Sequence, residues 1–187
     1  MRKEISRYFD QISTLVHKIP LKNIEELVNI IFEAYENGKR IFIFGNGGGS
    51  ATSSHFVCDL AKGTATPGKA RLKAVSLSDN VPLITAWAND TDYTNTFGEQ
   101  LKNLAEEGDV VIGLSGSGMS PNVINAFRIA GRIGAVSVLL SGYSGGDAVM
   151  GHRFANSGNN WNINWVGTSG GAGGGSALSG NLLADIF

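Results

Sequence analysis

The sequence predicts an α/β protein, a doubly wound parallel sheet of the flavodoxin-like kind with leading N-terminal helices. Three observations carry this. Short apolar runs rich in Ile, Val, Leu and Phe recur along the chain, each leading through a turn into a segment of helical spacing, and strands alternating with helices give a parallel sheet covered on both faces. Two amphipathic stretches precede the first run. The length of 187 residues, with 42% hydrophobic content, suits one domain with a full core.

Each element has its own signal. Ile5, Phe9, Ile12, Leu15 and Val16 recur at helical spacing, as do Ile24, Leu27, Ile30, Ile31, Ala34 and Tyr35. Pro20 separates these two helices and Gly38 is placed to end the second. Arg40 to Phe44 reads as a buried parallel strand, and a helix is expected to start near Ser50, Thr52 or Ser53, any of which can cap it. Leu72 to Leu77 is a second strand, Pro82 opens a short helix running towards Trp87, and Thr96 to Leu104 is a further helical stretch. Asp109 to Leu114 is a third strand, Pro121 to Ile133 a helix with proline in its first turn, and Val136 to Leu140 a fourth strand. Beyond it only Trp161 to Val166 shows strand-like alternation. The chain divides into helices over residues 1–38, an α/β region over 39–150 and a Gly-, Ser- and Asn-rich segment over 151–187. The leading helices belong to the same domain and offer an interface for a homodimer or homotetramer.

Composition excludes several classes. The longest apolar runs fall far short of the roughly 20 residues of a membrane-spanning helix, and the charged start MRKEISRYFDQ is no secretory signal. Cys58 is the single cysteine, so no internal disulfide forms, which fits a cytoplasmic location. A net charge of −1 without a basic cluster argues against direct nucleic-acid binding.

Ligands of such sheets bind at the carboxyl ends of the strands, which draws attention to two loops. In the first, Gly45 to Gly49 can bring backbone N–H groups close to an anion at the start of a helix. It lacks the third glycine of a dinucleotide fingerprint, where Ser50 stands, and the lysine of a Walker A loop. No nucleotide cofactor is therefore expected; a bare strand-to-helix connection is the alternative. The second loop, Gly113 to Asn122, carries the hydroxyls of Ser115, Ser117 and Ser120 with Gly116 and Gly118, and also ends at a helix N-terminus. Hydroxyls and backbone N–H groups can bind a phosphate dianion there without lysine or arginine.

The stretches GNGGGSATSSHF and SGSGMSPNV, with Asn89-Asp90 between them, resemble the signature loops of the sugar isomerase (SIS) domain family in its phosphoheptose isomerase branch. The likeness covers roughly Arg2 to Gly146. It implies that Ser115, Gly116, Ser117 and Ser120 hold a sugar phosphate, while Asn46, Gly47, Gly48, Asn89 and Asp90 face the sugar chain. The implied reaction converts sedoheptulose 7-phosphate into D-glycero-D-manno-heptose 7-phosphate by a proton shift through an enediol, which needs a base at carbon. The family supplies a helix glutamate and a C-terminal histidine, and often binds zinc. Here His55 matches the helix histidine and Asp59 stands at the glutamate position, so both are the catalytic and metal candidates; their i, i+4 spacing puts them on one helix face.

Two departures bear on activity. Aspartate is one methylene shorter than glutamate, and catalysis is sensitive to displacements of about 1 Å. No glutamine follows Gln100 and the last histidine is His152, so the family's C-terminal glutamine and histidine have no evident counterpart. The alternative function is a non-catalytic SIS domain that binds sugar phosphates as a sensor or scaffold.

Overall fold

The computed structural model describes residues 1–17, 19–142 and 160–164. The remaining part of the C-terminal segment, including Val166, lies outside the described residues. Helices α1 (Arg2–Val16) and α2 (Leu21–Glu36) lead into strand β1 (Arg40–Gly45) and helix α3 (Gly48–Cys58), which continues through a wider π-helical turn, Asp59–Gly63. Then follow β2 (Lys73–Ser76), α4 (Val81–Asp90), a single 3₁₀ turn (Tyr93–Asn95), α5 (Thr96–Leu104), β3 (Val110–Ser115), α6 (Pro121–Ile133), β4 (Val136–Ser141) and β5 (Asn160–Asn164).

The five strands pair in parallel in the order β2-β1-β3-β4-β5. From β1 the chain moves outward to β2, then returns to the other side of β1 for β3 and continues to β4 and β5. The strand order thus reverses between β1 and β3, the switch point at which loops leave in opposite directions and open a crevice. Register places Gly45 beside Leu114, so both loops leave the sheet at the same height.

Alternation along β1 explains the layers. Ile41 and Ile43 point into one core with Leu27, Ile30 and Ile31 of α2 and Phe56 of α3. Phe42 and Phe44 point into the other with Phe97 and Leu101 of α5 and Val123 and Phe127 of α6. The Phe44 ring lies 4.8 Å from that of Phe97 and 5.9 Å from that of Phe127, centroid to centroid, distances at which tilted aromatic pairs attract. A central parallel strand buried on both faces has this continuous apolar character for that reason.

Boundaries follow local chemistry. Gly38, at φ +63°, turns the chain out of α2, and the N–H of Lys39 closes on Ala34 O. Asn80 caps α4 by accepting from Leu83 N–H, with Pro82 in the first turn. At the opposite end of the sheet from the two loops, buried Asp109 accepts from the backbone N–H groups of Arg40 and Glu106, and Arg40 pairs with Glu106 and Asp109 at 2.7 and 3.3 Å. Among the described residues no helix is long and apolar enough to cross a membrane.

The start of α3 differs from expectation. The helix begins at Gly48 with Gly47 at its N-cap, and no hydroxyl caps it. Thr52, Ser53 and Ser54 instead return their hydroxyls to the carbonyls of Gly48 and Ser50 inside the helix. Gly47 takes φ +54°, a conformation a serine cap would not adopt cheaply, so the glycine turn itself launches the helix.

Candidate functional site

The site is built from the two loops at the β1/β3 switch point. Gly45 has no room for a side chain: a Cβ there would sit 2.8 Å from Leu114 O and 2.9 Å from Gly49 C. Its N–H donates to the Ser78 hydroxyl, which in turn donates to Gly45 O. The next turn is tied by bonds from Gly49 N–H to Asn46 O and from Ser50 N–H to Gly47 O. The N–H groups of Gly47 and Gly48 have no partner among the described residues, and a Cβ at either would meet nothing within 4 Å. Two free donors therefore lie at the positive end of α3, in a turn with room around it.

The second loop is arranged around Ser115. Its hydroxyl lies 3.3 Å from that of Ser120 and accepts from Gly118 N–H. Gly118, at φ +66°, makes the tight turn, and its N–H is shared with Ser115 O. Exposed Ser117 accepts from Met119 N–H, and Gly116 carbonyl accepts from Gly142 N–H at the end of β4. Ser120 occupies the N-cap of α6 without using its hydroxyl there. That hydroxyl and Ser115 Oγ form a close pair at a helix N-terminus, suited to an anion with several acceptor oxygens.

Asn46 joins the two loops. It exchanges two hydrogen bonds with Asn122 in the first turn of α6 and accepts a third from the Tyr93 hydroxyl. Buried Asn122 also reaches Thr96 Oγ1. Asn122, Tyr93 and Thr96 were not singled out by the sequence, where nothing marks polar residues that meet only across the crevice. Tyr93 follows α4, whose exposed last turn holds Asn89 and Asp90, hydrogen-bonded to each other at 2.9 Å.

His55 and Asp59 stand apart from the loops. They lie on α3 and its continuation, about 10 and 16 Å along the helix axis from Gly48 at 1.5 Å per residue. His55 Nε2 is 3.5 Å from Asp59 Oδ2, with His55 60% and Asp59 17% exposed. The separation suits an ion pair when the imidazole is protonated, yet Asp59 Oδ2 is buried with no hydrogen-bond partner. Such an oxygen is costly to leave unsatisfied and marks a carboxylate with room for a further partner. Zinc takes three or four N, O or S donors from a protein. Among the described residues no group of three His, Cys, Asp or Glu side chains lies together, so His55 and Asp59 by themselves do not complete a zinc shell.

Comparison with known proteins identifies the family and the fold. Residues 7–142 match the SIS domain family. The chain is 42% identical over 127 residues to a protein named probable phosphoheptose isomerase from Thermoplasma acidophilum, covering 66% of this chain and 69% of the relative. A second, so named from Thermoplasma volcanium, is 35% identical over 143 residues, covering 76% and 72%. The solved structure of a phosphoheptose isomerase from Neisseria gonorrhoeae superposes with a TM-score of 0.79 at 24% identity, covering 89% of this chain and 86% of that one. At that identity the superposition establishes the fold.

Proposed function

The chain belongs to the SIS domain family, and on that premise we propose that it is a sugar-phosphate aldose–ketose isomerase of the phosphoheptose type. One observation carries the reading: the hydroxyl pair of Ser115 and Ser120 and the free N–H groups of Gly47 and Gly48 sit on neighbouring strand ends, bridged by Asn46. A phosphate dianion takes the α6 side, held by Ser115, Ser117 and Ser120 and by the helix dipole. The sugar then runs along Asn46 to Gly48, with Asn89 and Asp90 on the flank. The loops' neutrality suits this division, because a phosphate bound by hydroxyls and N–H groups stays exchangeable.

Asp59, with His55 beside it, is the candidate base that the family resemblance implies, although it stands about 16 Å along α3 from Gly48. Copies of the chain associate through α1 as a dimer or tetramer, and the single exposed Cys58 suits the reducing cytoplasm. The decisive assay incubates the protein with sedoheptulose 7-phosphate, with and without added zinc, and follows the aldose; Asp59→Asn should lower kcat by about 10²-fold or more, the contribution of a positioned base. Binding without turnover in the unaltered protein would replace the isomerase with a sugar-phosphate sensor.

A further inference from the structure

The contacts of Asn46 do more than bridge two loops. Its Nδ2 donates to Asn122 Oδ1 at 2.9 Å, and Asn122 Nδ2 donates back to Asn46 Oδ1 at 2.8 Å. A closed pair of carboxamides can be turned over as a unit at no cost, unless a neighbour is able only to donate or only to accept. The backbone N–H of Val123 is such a neighbour. It donates to Asn122 Oδ1 at 3.0 Å, sharing its hydrogen with Ser120 O at 3.1 Å. Because a backbone N–H never accepts, Asn122 turns its oxygen toward the first turn of α6 and its amide toward Asn46.

The polarity passes on from there. Asn46 Oδ1 accepts from Asn122 and from the Tyr93 hydroxyl, the latter at 3.0 Å, so both of its lone pairs are engaged. What Asn46 has left is one Nδ2 hydrogen, without a partner among the described residues, in the residue that directly precedes the open Gly47-Gly48 turn. Asn122 itself is 1% exposed.

We infer that Asn122 is a positioning residue: the orientation imposed on it by the α6 backbone is relayed through Asn46, which is thereby a hydrogen-bond donor, and never an acceptor, to the sugar oxygen that becomes negative during isomerisation. This rests on the isomerase reading. In that reaction the C1–H electron pair forms the C1–C2 double bond as the proton leaves, and the carbonyl pair moves onto O2. A proton returned to C2, loss of the O1 proton and protonation of O2 complete the aldose, with no oxidant or reductant. An N–H fixed toward the charged oxygen stabilises it without reorganising, whereas an amide oxygen in its place would repel it.

The test uses Asn122→Asp, Asn122→Ala and Asn46→Ala beside the unaltered protein, read by turnover of sedoheptulose 7-phosphate and by NMR exchange of the Asn46 side-chain amide protons. Asn122→Asp keeps the shape but sets an oxygen against Asn46 Oδ1. We expect kcat to fall by about 10²-fold, the size of losing one such donor, while KM moves by less than about threefold. Combining it with Asn46→Ala should add little, since both act through one group. Relative to the unaltered protein, Asn122→Asp should regain activity as pH falls and its carboxyl, once protonated, donates again. Variants that only lose thermal stability, with kcat, KM and this pH ratio unchanged, overturn the relay.

The exchange measurement needs no turnover. One Asn46 Nδ2 proton should exchange slowly and the other as in a free carboxamide, and Asn122→Ala should make both fast. Two fast protons in the unaltered protein overturn the inference. If the unaltered protein binds the sugar phosphate without isomerising it, the functional reading falls and the exchange pattern alone decides whether the pair is oriented as described.

Discussion

Ser115 and Ser120 face each other across 3.3 Å in a loop that has no lysine or arginine, so each hydroxyl carries a large share of any anion binding. A hydrogen bond to a charged partner is worth about 1.5–3 kcal/mol. Ser115→Ala should therefore weaken sedoheptulose 7-phosphate binding by about tenfold or more in a calorimetric titration, and an unchanged affinity would remove the phosphate from this loop. The Gly/Ser run after an apolar strand is visible in the sequence, where a solvated turn is the alternative to an anion site. Asn122 and Tyr93 could not be singled out there, because their partner Asn46 lies 76 and 47 positions away. Asp59 falls between: its spacing from His55 was legible, while the burial of Oδ2 without a hydrogen bond emerged only when the π-helical turn and its packing were formed.

At the level of elements, closeness of approach decides what each strand and helix tolerates. A Cβ on Gly113 of β3 would stand 2.5 Å from Phe127 Cζ and 3.2 Å from Val123 Cγ1, so α6 lies directly on the strand that leads into the serine loop. Gly113→Val should cost about 1–3 kcal/mol by overpacking, measured as a lower denaturation midpoint, and should weaken substrate binding as α6 shifts; a stability equal to the parent's would deny that contact. At the other end of the sheet, the hydrogen bond from Arg40 holds the Glu106 carboxyl below its ordinary value of 4.5. Stability from that pairing is complete above the ordinary value and is lost as pH falls through the lowered one. The stability difference between the parent and Glu106→Gln should accordingly be present near neutrality, shrink on acidification below pH 4.5 and diminish with added salt. A difference that grows toward acid would contradict the pairing. Helix starts were less legible than helix bodies: α5 and α6 begin where Thr96 and Pro121 signal them, whereas α3 begins two residues ahead of its first hydroxyl because a glycine turn replaced the side-chain cap.

For the whole molecule the outstanding feature is α1. Ile5, Tyr8 and Phe9 on this 15-residue helix are 49%, 53% and 62% exposed, and a helix of that length is marginal in water without packing. Association of copies over this face would bury it. The double substitution Ile5→Glu with Phe9→Glu should reduce the mass seen by light scattering toward that of a single chain, and an unchanged mass would place the interface elsewhere. The sequence by itself determined the α/β class, the two leading helices, the succession of strands and helices along the chain and the two glycine-rich loops at strand ends, since each is written in short-range periodicity and in glycine and serine placement. Only the tertiary structure decided that β1 and β3 are neighbours at the reversal of strand order, that Asn46 meets Asn122 and Tyr93 there, and that Asp59 Oδ2 is buried without a hydrogen bond. Strand pairing and cross-crevice hydrogen bonds join residues far apart in the chain, and no local pattern encodes which distant partner a buried strand or a carboxamide will find.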